Sequence, residues 1–163
     1  MVYPKVSIIM NCLNGEQYLK QALDSVFKQT YDDWEVIFFD NASTDNSAAI
    51  AKSYGGRVRY FKSQTTYPLG KARNLAINEA KGEFIAFLDC DDIWLPQKLE
   101  KQAALLENDS EVALVFSDMM IFDGGRDIYQ YLGKQKPPRG NVFRELLVNY
   151  FIGIVSVVIR KSA

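Results

Sequence analysis

The sequence predicts an α/β fold with a mostly parallel central sheet and a small hairpin region towards its C-terminal end. Apolar runs and helical periodicities alternate through the first two thirds of the 163 residues, and strand–helix–strand–helix order implies parallel strands joined by right-handed crossovers. The runs themselves, Phe84 to Leu88 above all, contain no polar alternation, the pattern of strands covered on both faces. Polar residues then gather directly after these runs, where open α/β sheets bind their ligands.

Lys5 to Met10 reads as the first strand, and Asn14 as the cap of a helix whose apolar positions Leu19, Ala22, Leu23, Val26 and Phe27 recur at helical spacing. Trp34 to Phe39 is the second strand. Ser43 or Thr44 is expected to cap a helix to about Tyr54, which Gly55-Gly56 stops. Val58 to Lys62 is the third strand, and a helix opening at Lys71-Ala72-Arg73-Asn74 runs to Ala80. The fourth strand, Phe84 to Leu88, meets Asp89, Asp91 and Asp92. Pro96 suits the first turn of the next helix, and Val112 to Phe116 is a fifth strand. Met119 to Phe122 and Asp127 to Leu132 read as a hairpin across Asp123-Gly124-Gly125. A basic, proline-bearing loop (Gly133 to Gly140), a helix (Asn141 to Tyr150) and a last apolar strand (Ile154 to Ile159) complete the chain.

A net charge of −1 gives no electrostatic case for a nucleic-acid partner. No apolar stretch is long enough to span a bilayer. The chain has no histidine, which excludes His-based triads and His metal sites, so any metal must sit on oxygen. Cys12 and Cys90 read as free thiols of a reducing cytoplasm, without metal-ligand spacing.

Crowded acids repel one another unless a cation or hydrogen-bond donors compensate, and a hard divalent ion takes oxygen ligands. Asp89 and Asp91 together therefore read as metal ligands, whereas Asp92 reads equally as part of a polar turn capping the helix near Pro96. Asn11 with Asp40 and Asn41 offers groups suited to a base and ribose, and Lys71 and Arg73 offer cations suited to phosphate. Taken singly, Asp40 reads as a turn residue, Lys71 and Arg73 as solvated helix charges and Asn74 as a backbone-satisfying amide. Their joint placement along one edge of a parallel sheet favours a nucleotide diphosphate site. There is no Gly-x-Gly-x-x-Gly or Walker loop.

Val6-Ser-Ile-Ile-Met with Asn14-Gly15, Gln29-Thr30-Tyr31, Asp40-Asn-Ala-Ser-Thr-Asp45, Ala72-Arg-Asn74, Ala80-Lys-Gly-Glu83 and Asp89-Cys-Asp-Asp92 resemble the motifs of family 2 glycosyltransferases, in order from about Val6 to Arg160. The resemblance implies the GT-A fold, a Rossmann-like three-layer sandwich, with residues 1–163 as one nucleotide-sugar-binding domain. It implies inverting transfer of a sugar from a nucleotide diphosphate donor, a UDP-sugar by preference, to a glycan or lipid-linked acceptor in bacterial polysaccharide biosynthesis. Mn²⁺ or Mg²⁺ would assist, and the setting would be cytoplasmic, with peripheral association at the inner membrane face. By analogy Asn11 and Leu13 flank the base, Asp40 and Asn41 contact base or ribose, and Lys71 and Arg73 lie towards the phosphates. Asp91 is the metal ligand of the Asp-x-Asp motif, with Asp89 nearer the ribose. The chain departs from the pattern at Asn11-Cys12-Leu13, where Pro-x-Tyr is common, and at Asp40-Asn41, where Asp-Asp is frequent. The family's base acid follows a strand like Val155 to Arg160, so it is expected beyond Ala163, together with the rest of the acceptor portion. Asp118 is the nearest candidate inside the chain, with a hairpin-turn role as the alternative. The late apolar strand is expected to lie open to self-association. Two other readings are a nucleotide-sugar-binding module without catalysis and a haloacid-dehalogenase-like phosphohydrolase, whose Asp-x-Asp normally ends the first strand rather than the fourth.

Overall fold

A computed structural model describes residues 3–123 and 126–163. Its central sheet comprises β1 (Val6–Cys12), β2 (Trp34–Asp40), β3 (Val58–Lys62), β4 (Phe84–Phe87), β5 (Leu114–Val115) and β8 (Val158–Arg160), in the order β3-β2-β1-β4-β8-β5. β3, β2, β1 and β4 are parallel, and β8 runs antiparallel between β4 and β5. The helices are α1 (Glu16–Phe27), α2 (Ser47–Ser53), α3 (Leu69–Glu79), α4 (Lys98–Asn108) and α5 (Phe143–Val148). β6 (Met120–Asp123) and β7 (Arg126–Gln130) form the separate hairpin. The expected Gly124-Gly125 turn lies outside the described residues.

The unbroken apolar runs are explained by helices on both faces. Val6, Ile8, Met10, Val36, Phe38, Phe84 and Ala86 pack with Leu19, Leu23 and Val26 of α1, Ala51 of α2 and Leu99, Ala103 and Leu106 of α4. Ile9, Ile37, Phe39, Ile85 and Phe87 point the other way, onto Ala72 and Ala76 of α3. Alternate residues of each strand thus enter opposite cores, as the two-residue period requires. Three layers result.

The chain builds β1, β2 and β3 outwards in one direction, then returns to lay β4 on the other side of β1. The gap between the carboxyl ends of β1 and β4 is therefore the topological switch point, where an open α/β sheet has a crevice.

Several local expectations are corrected. Asn14 does not cap α1: it sits at φ 55°, and Gly15 occupies the cap position without a side-chain bond. Neither Ser43 nor Thr44 caps α2, whose cap position is Asn46. Both sets of polar groups instead bond across the gap between the two strand-end loops. α4 begins at Lys98, two residues beyond Pro96, and Asp92 makes no cap to it. Its Leu99 amide donates to the buried Gln29 side chain instead.

The expected last strand is half turn and half strand. Ile154–Ser156 is a 3₁₀ turn, closed by the Ser156 hydroxyl on the Gly153 carbonyl. The Val155 and Ser156 carbonyls accept from Trp94 Nε1 and Gln102 Nε2, so they are not available to a ladder. β8 is also not open to self-association, because β4 and β5 flank it and Val158 is fully buried. α5 and the hairpin carry exposed apolar groups instead, among them Phe143, Leu147 and Val148. No helix among the described residues is long and apolar enough to cross a membrane.

Candidate functional site

The switch-point crevice is built from the end of β1, carrying Asn11 and Cys12, with Leu13 just beyond it, and the loop after β4, carrying Asp89, Cys90 and Asp91. Parallel pairing of Ile9 with Phe87 sets their register. The loop after β2 closes the third side and is laced to the first. The amides of Asn14, Gly15 and Glu16 donate to Ser43 Oγ, Ser47 Oγ and Asp45 Oδ2. In return the amides of Thr44 and Asn46 donate to Asn14 Oδ1 and Glu16 Oε2. These five reciprocal bonds fix the two loops relative to each other, and one of them satisfies the first amide of α1, that of Glu16.

Asn11 is only 8% exposed, yet neither its Oδ1 nor its Nδ2 has a hydrogen-bond partner among the described residues. An orphaned buried amide costs roughly 1–3 kcal/mol, and a ligand that supplies both a donor and an acceptor removes that cost. Leu13 beside it is half exposed.

Asp40 and Asn41 are buried and occupied. Asp40 Oδ1 accepts from the Ser43 amide and Oδ2 from the Tyr60 hydroxyl, with Lys62 Nζ at 3.9 Å. Burial, then this bond to Asp40, pushes the Tyr60 phenol well above its ordinary value. Asn41 clasps Tyr67 through two bonds, Nδ2 to the carbonyl at 2.8 Å and the Tyr67 amide to Oδ1 at 2.9 Å. As placed, these side chains shape the wall and hold the Ser63–Pro68 loop rather than presenting free atoms to the crevice. The Asp40-Tyr60 and Asn41-Tyr67 pairings link positions 20 and 26 residues apart, a distance at which no local pattern reveals a partner.

Arg73, one turn into α3, binds Asp89 with one nitrogen at 2.8 and 3.0 Å from its two oxygens. Lys71 lies over the Tyr67 ring, its Nζ 4.1 Å from the centroid, and stays exposed. Asp91 is exposed and forms no ion pair or hydrogen bond among the described residues. Burial first, then the charges of Asp91 and Asp89, pushes the Asp92 carboxyl up to about 6. Asp118 stands apart at the base of the hairpin, before β6, where its Oδ1 accepts from the Met119 and Leu132 amides and not in the hairpin's turn.

Cys12 and Cys90 are free thiols gathered around the backbone of Gly15. The neighbouring Cys90 thiol, then Ser47, the Gly15 amide and Ser43, hold the Cys12 thiol below its ordinary value against the effect of burial. The Cys12 neighbour, together with burial, pushes the Cys90 thiol up. Their proximity follows from the β1–β4 register and carries no signature in the sequence.

This arrangement defines an α/β protein with a polar switch-point crevice: an orphaned amide at one side, an arginine-braced carboxylate and a carboxylate without a partner among the described residues at the other. The chain belongs to glycosyl transferase family 2, whose family description matches residues 7–163. It is 32% identical over 158 residues to the Escherichia coli UDP-Glc:alpha-D-GlcNAc-diphosphoundecaprenol beta-1,3-glucosyltransferase WfgD, covering 96% of this chain and 60% of that one. It is 35% identical over 153 residues to an uncharacterized glycosyltransferase of Methanocaldococcus jannaschii, covering 91% and 51%. Among solved structures, S. aureus TarS 1-349 in complex with UDP-GlcNAc superimposes with a TM-score of 0.80 at 26% identity, over 97% of this chain and 47% of that one. The chain spans about half the length of the curated relatives it matches. The GT-A fold and membership of glycosyl transferase family 2 are thereby shown, and they do not fit the phosphohydrolase reading.

Proposed function

We propose that this chain is the donor-binding domain of an inverting, metal-assisted glycosyltransferase that takes a UDP-sugar and serves polysaccharide assembly at the cytoplasmic face of a membrane, with a glycan or lipid-linked acceptor. The observation that carries the reading is Asn11. Its amide offers one acceptor and two donors, buried and unused at the switch point, and a uracil edge presents the complementary imino N–H and carbonyl. The UDP-GlcNAc complex of a relative with the same fold supports the same choice of donor.

The remaining residues divide the work by position. Arg73 braces Asp89 and leaves that carboxylate oriented towards the ribose side of the crevice. Lys71 is a cation free to meet a phosphate. Asp91 and Asp89 supply the all-oxygen donors that suit Mn²⁺ or Mg²⁺, which completes its shell with water and diphosphate oxygens. The residues present fit such an ion: Asp91 has no competing partner among the described residues and stands two residues from the Asp89 carboxylate. When bound, the metal stabilises the charge that develops on the departing diphosphate. Donor binding is thus assigned within residues 11–91, and Asp118, the nearest candidate for the base, is engaged by the Met119 and Leu132 amides. In a calorimetric titration, UDP binds at least about tenfold more tightly with Mn²⁺ than with EDTA, which is about 1.4 kcal/mol. Asp91→Asn abolishes that difference. Equal affinity with and without the metal would refute the ligand assignment.

A further inference from the structure

The two cysteines lie where the two halves of the crevice meet. Cys12 separates Asn11 from Leu13 on the base side, and Cys90 separates Asp89 from Asp91 on the metal side. β1 and β4 are parallel neighbours paired as far as Ile9 and Phe87, and Cys12 and Cys90 each lie three residues beyond that pair. Both side chains face the same core, Cys12 within it and Cys90 packed against it. Gly15 leaves the room: a Cβ there would lie 2.8 Å from Cys12 Sγ and 2.7 Å from Cys90 Sγ. Both thiols are thus gathered around a single backbone position that carries no side chain.

We propose that Cys12 and Cys90 form a reversible disulfide under peroxide, and that this bond draws the two crevice loops together so that a nucleoside diphosphate binds weakly. Formation of the disulfide is independent of what the crevice binds; the loss of binding rests on the donor-site reading above. Cys90 is partly exposed whereas Cys12 is buried, so hydrogen peroxide enters from the Cys90 side. One of the two sulphurs, as its thiolate, attacks one peroxide oxygen, the O–O bond breaks, and the departing hydroxide takes up that thiol's proton as water, leaving a sulfenic acid. The other sulphur then attacks the oxidised one, the S–O bond breaks, and the second oxygen leaves as water with the second thiol's proton. Two thiols lose two electrons and two hydrogens, and one peroxide becomes two waters. The two sulphurs are unbonded in this structure, and closing them to the about 2.05 Å of a disulfide moves Asn11 and Asp89 with the cysteines that adjoin them. Displacements of about 1 Å in a positioned site cost about a hundredfold in reactions that depend on it.

The test treats the folded protein with hydrogen peroxide, then measures intact mass, peptide map and UDP affinity with Mn²⁺, before and after dithiothreitol. The expected result is a loss of about 2 Da that dithiothreitol restores, unlike methionine oxidation, with a Cys12–Cys90 linked peptide. UDP affinity falls by about tenfold or more in the oxidised form and recovers on reduction. Cys90→Ser shows no mass loss and keeps its UDP affinity through the treatment. A protein that keeps both thiols under peroxide while folded would overturn the proposal. So would a linked form that binds UDP as tightly as the reduced one. If the reduced protein binds no UDP, the donor-site reading fails and the loss of binding with it, while mass and peptide map still decide the disulfide.

Discussion

Asn11 combines two roles that pull in opposite directions. Its amide is buried without partners, so it destabilises the free protein, and the same feature makes it a recognition group for a ligand edge. Replacing it with an apolar residue of similar volume removes the orphaned atoms. Asn11→Leu is therefore expected to raise unfolding stability by about 1–2 kcal/mol and to weaken UDP binding by about tenfold or more. Urea denaturation and calorimetry on the same preparation check both. A variant that is less stable and binds normally would show that Asn11 is satisfied internally. At this scale the sequence was informative about residue type more than role. Asp40 and Asn41 stand at the expected edge, but their side chains are taken up by Ser43, Tyr60 and Tyr67. Partners that far along the chain are set by tertiary packing, which local reading does not reach.

The parallel strands and the helices between them were legible as elements because burial on both faces leaves only apolar residues in a strand. The caps were not. Asn14, Ser43 and Thr44 are good capping residues by type, but here they bond between loops, where Asn14 accepts from Thr44 and Ser43 accepts from Asn14. The last strand was also misread, since an apolar run cannot distinguish a strand from a turn whose carbonyls are taken by Trp94 and Gln102. One element contact is demanding enough to test. Gly82, just before β4, donates its amide to Ser7 Oγ, and a Cβ there would lie 2.6 Å from the Ser7 amide nitrogen and 2.9 Å from the Val6 carbonyl carbon. Backbone atoms of a central strand cannot move aside, so Gly82→Ala is expected to cost about 2–3 kcal/mol. A denaturation midpoint unchanged by the substitution would contradict the packing of β4 against the start of β1.

Across the whole molecule, Glu83 joins the first and last strands of the chain. Its carboxylate accepts from Lys5 at 2.7 Å and from Arg160 at 2.8 Å, and the Lys161 amide donates to its carbonyl. The bond from Lys5 leads in holding the Glu83 carboxyl below its ordinary value, with Arg160 adding to it. A depressed folded pKa means stability that is present above about pH 4.5 and lost as the pH falls through the folded value. The side chain is about half exposed, so solvent screens the pair and Glu83→Gln is expected to cost only about 0.5–1 kcal/mol at pH 7. The difference from the parent protein closes towards pH 3 and shrinks in high salt. A cost that persists at pH 3 would assign it to packing instead of charge.

The central claim is that the crevice between the ends of β1 and β4 is the nucleotide site, and amide NMR shifts on titration with UDP and Mg²⁺ test it most directly. The account predicts that the largest changes fall in residues 11–15 and 89–92, with smaller ones around Tyr67 and Lys71. The opposite end of the sheet, where Trp34, Arg57 and Lys81 line a cleft of about 520 Å³, stays unperturbed. Changes concentrated in that cleft, or none at residues 11–15, would contradict the account.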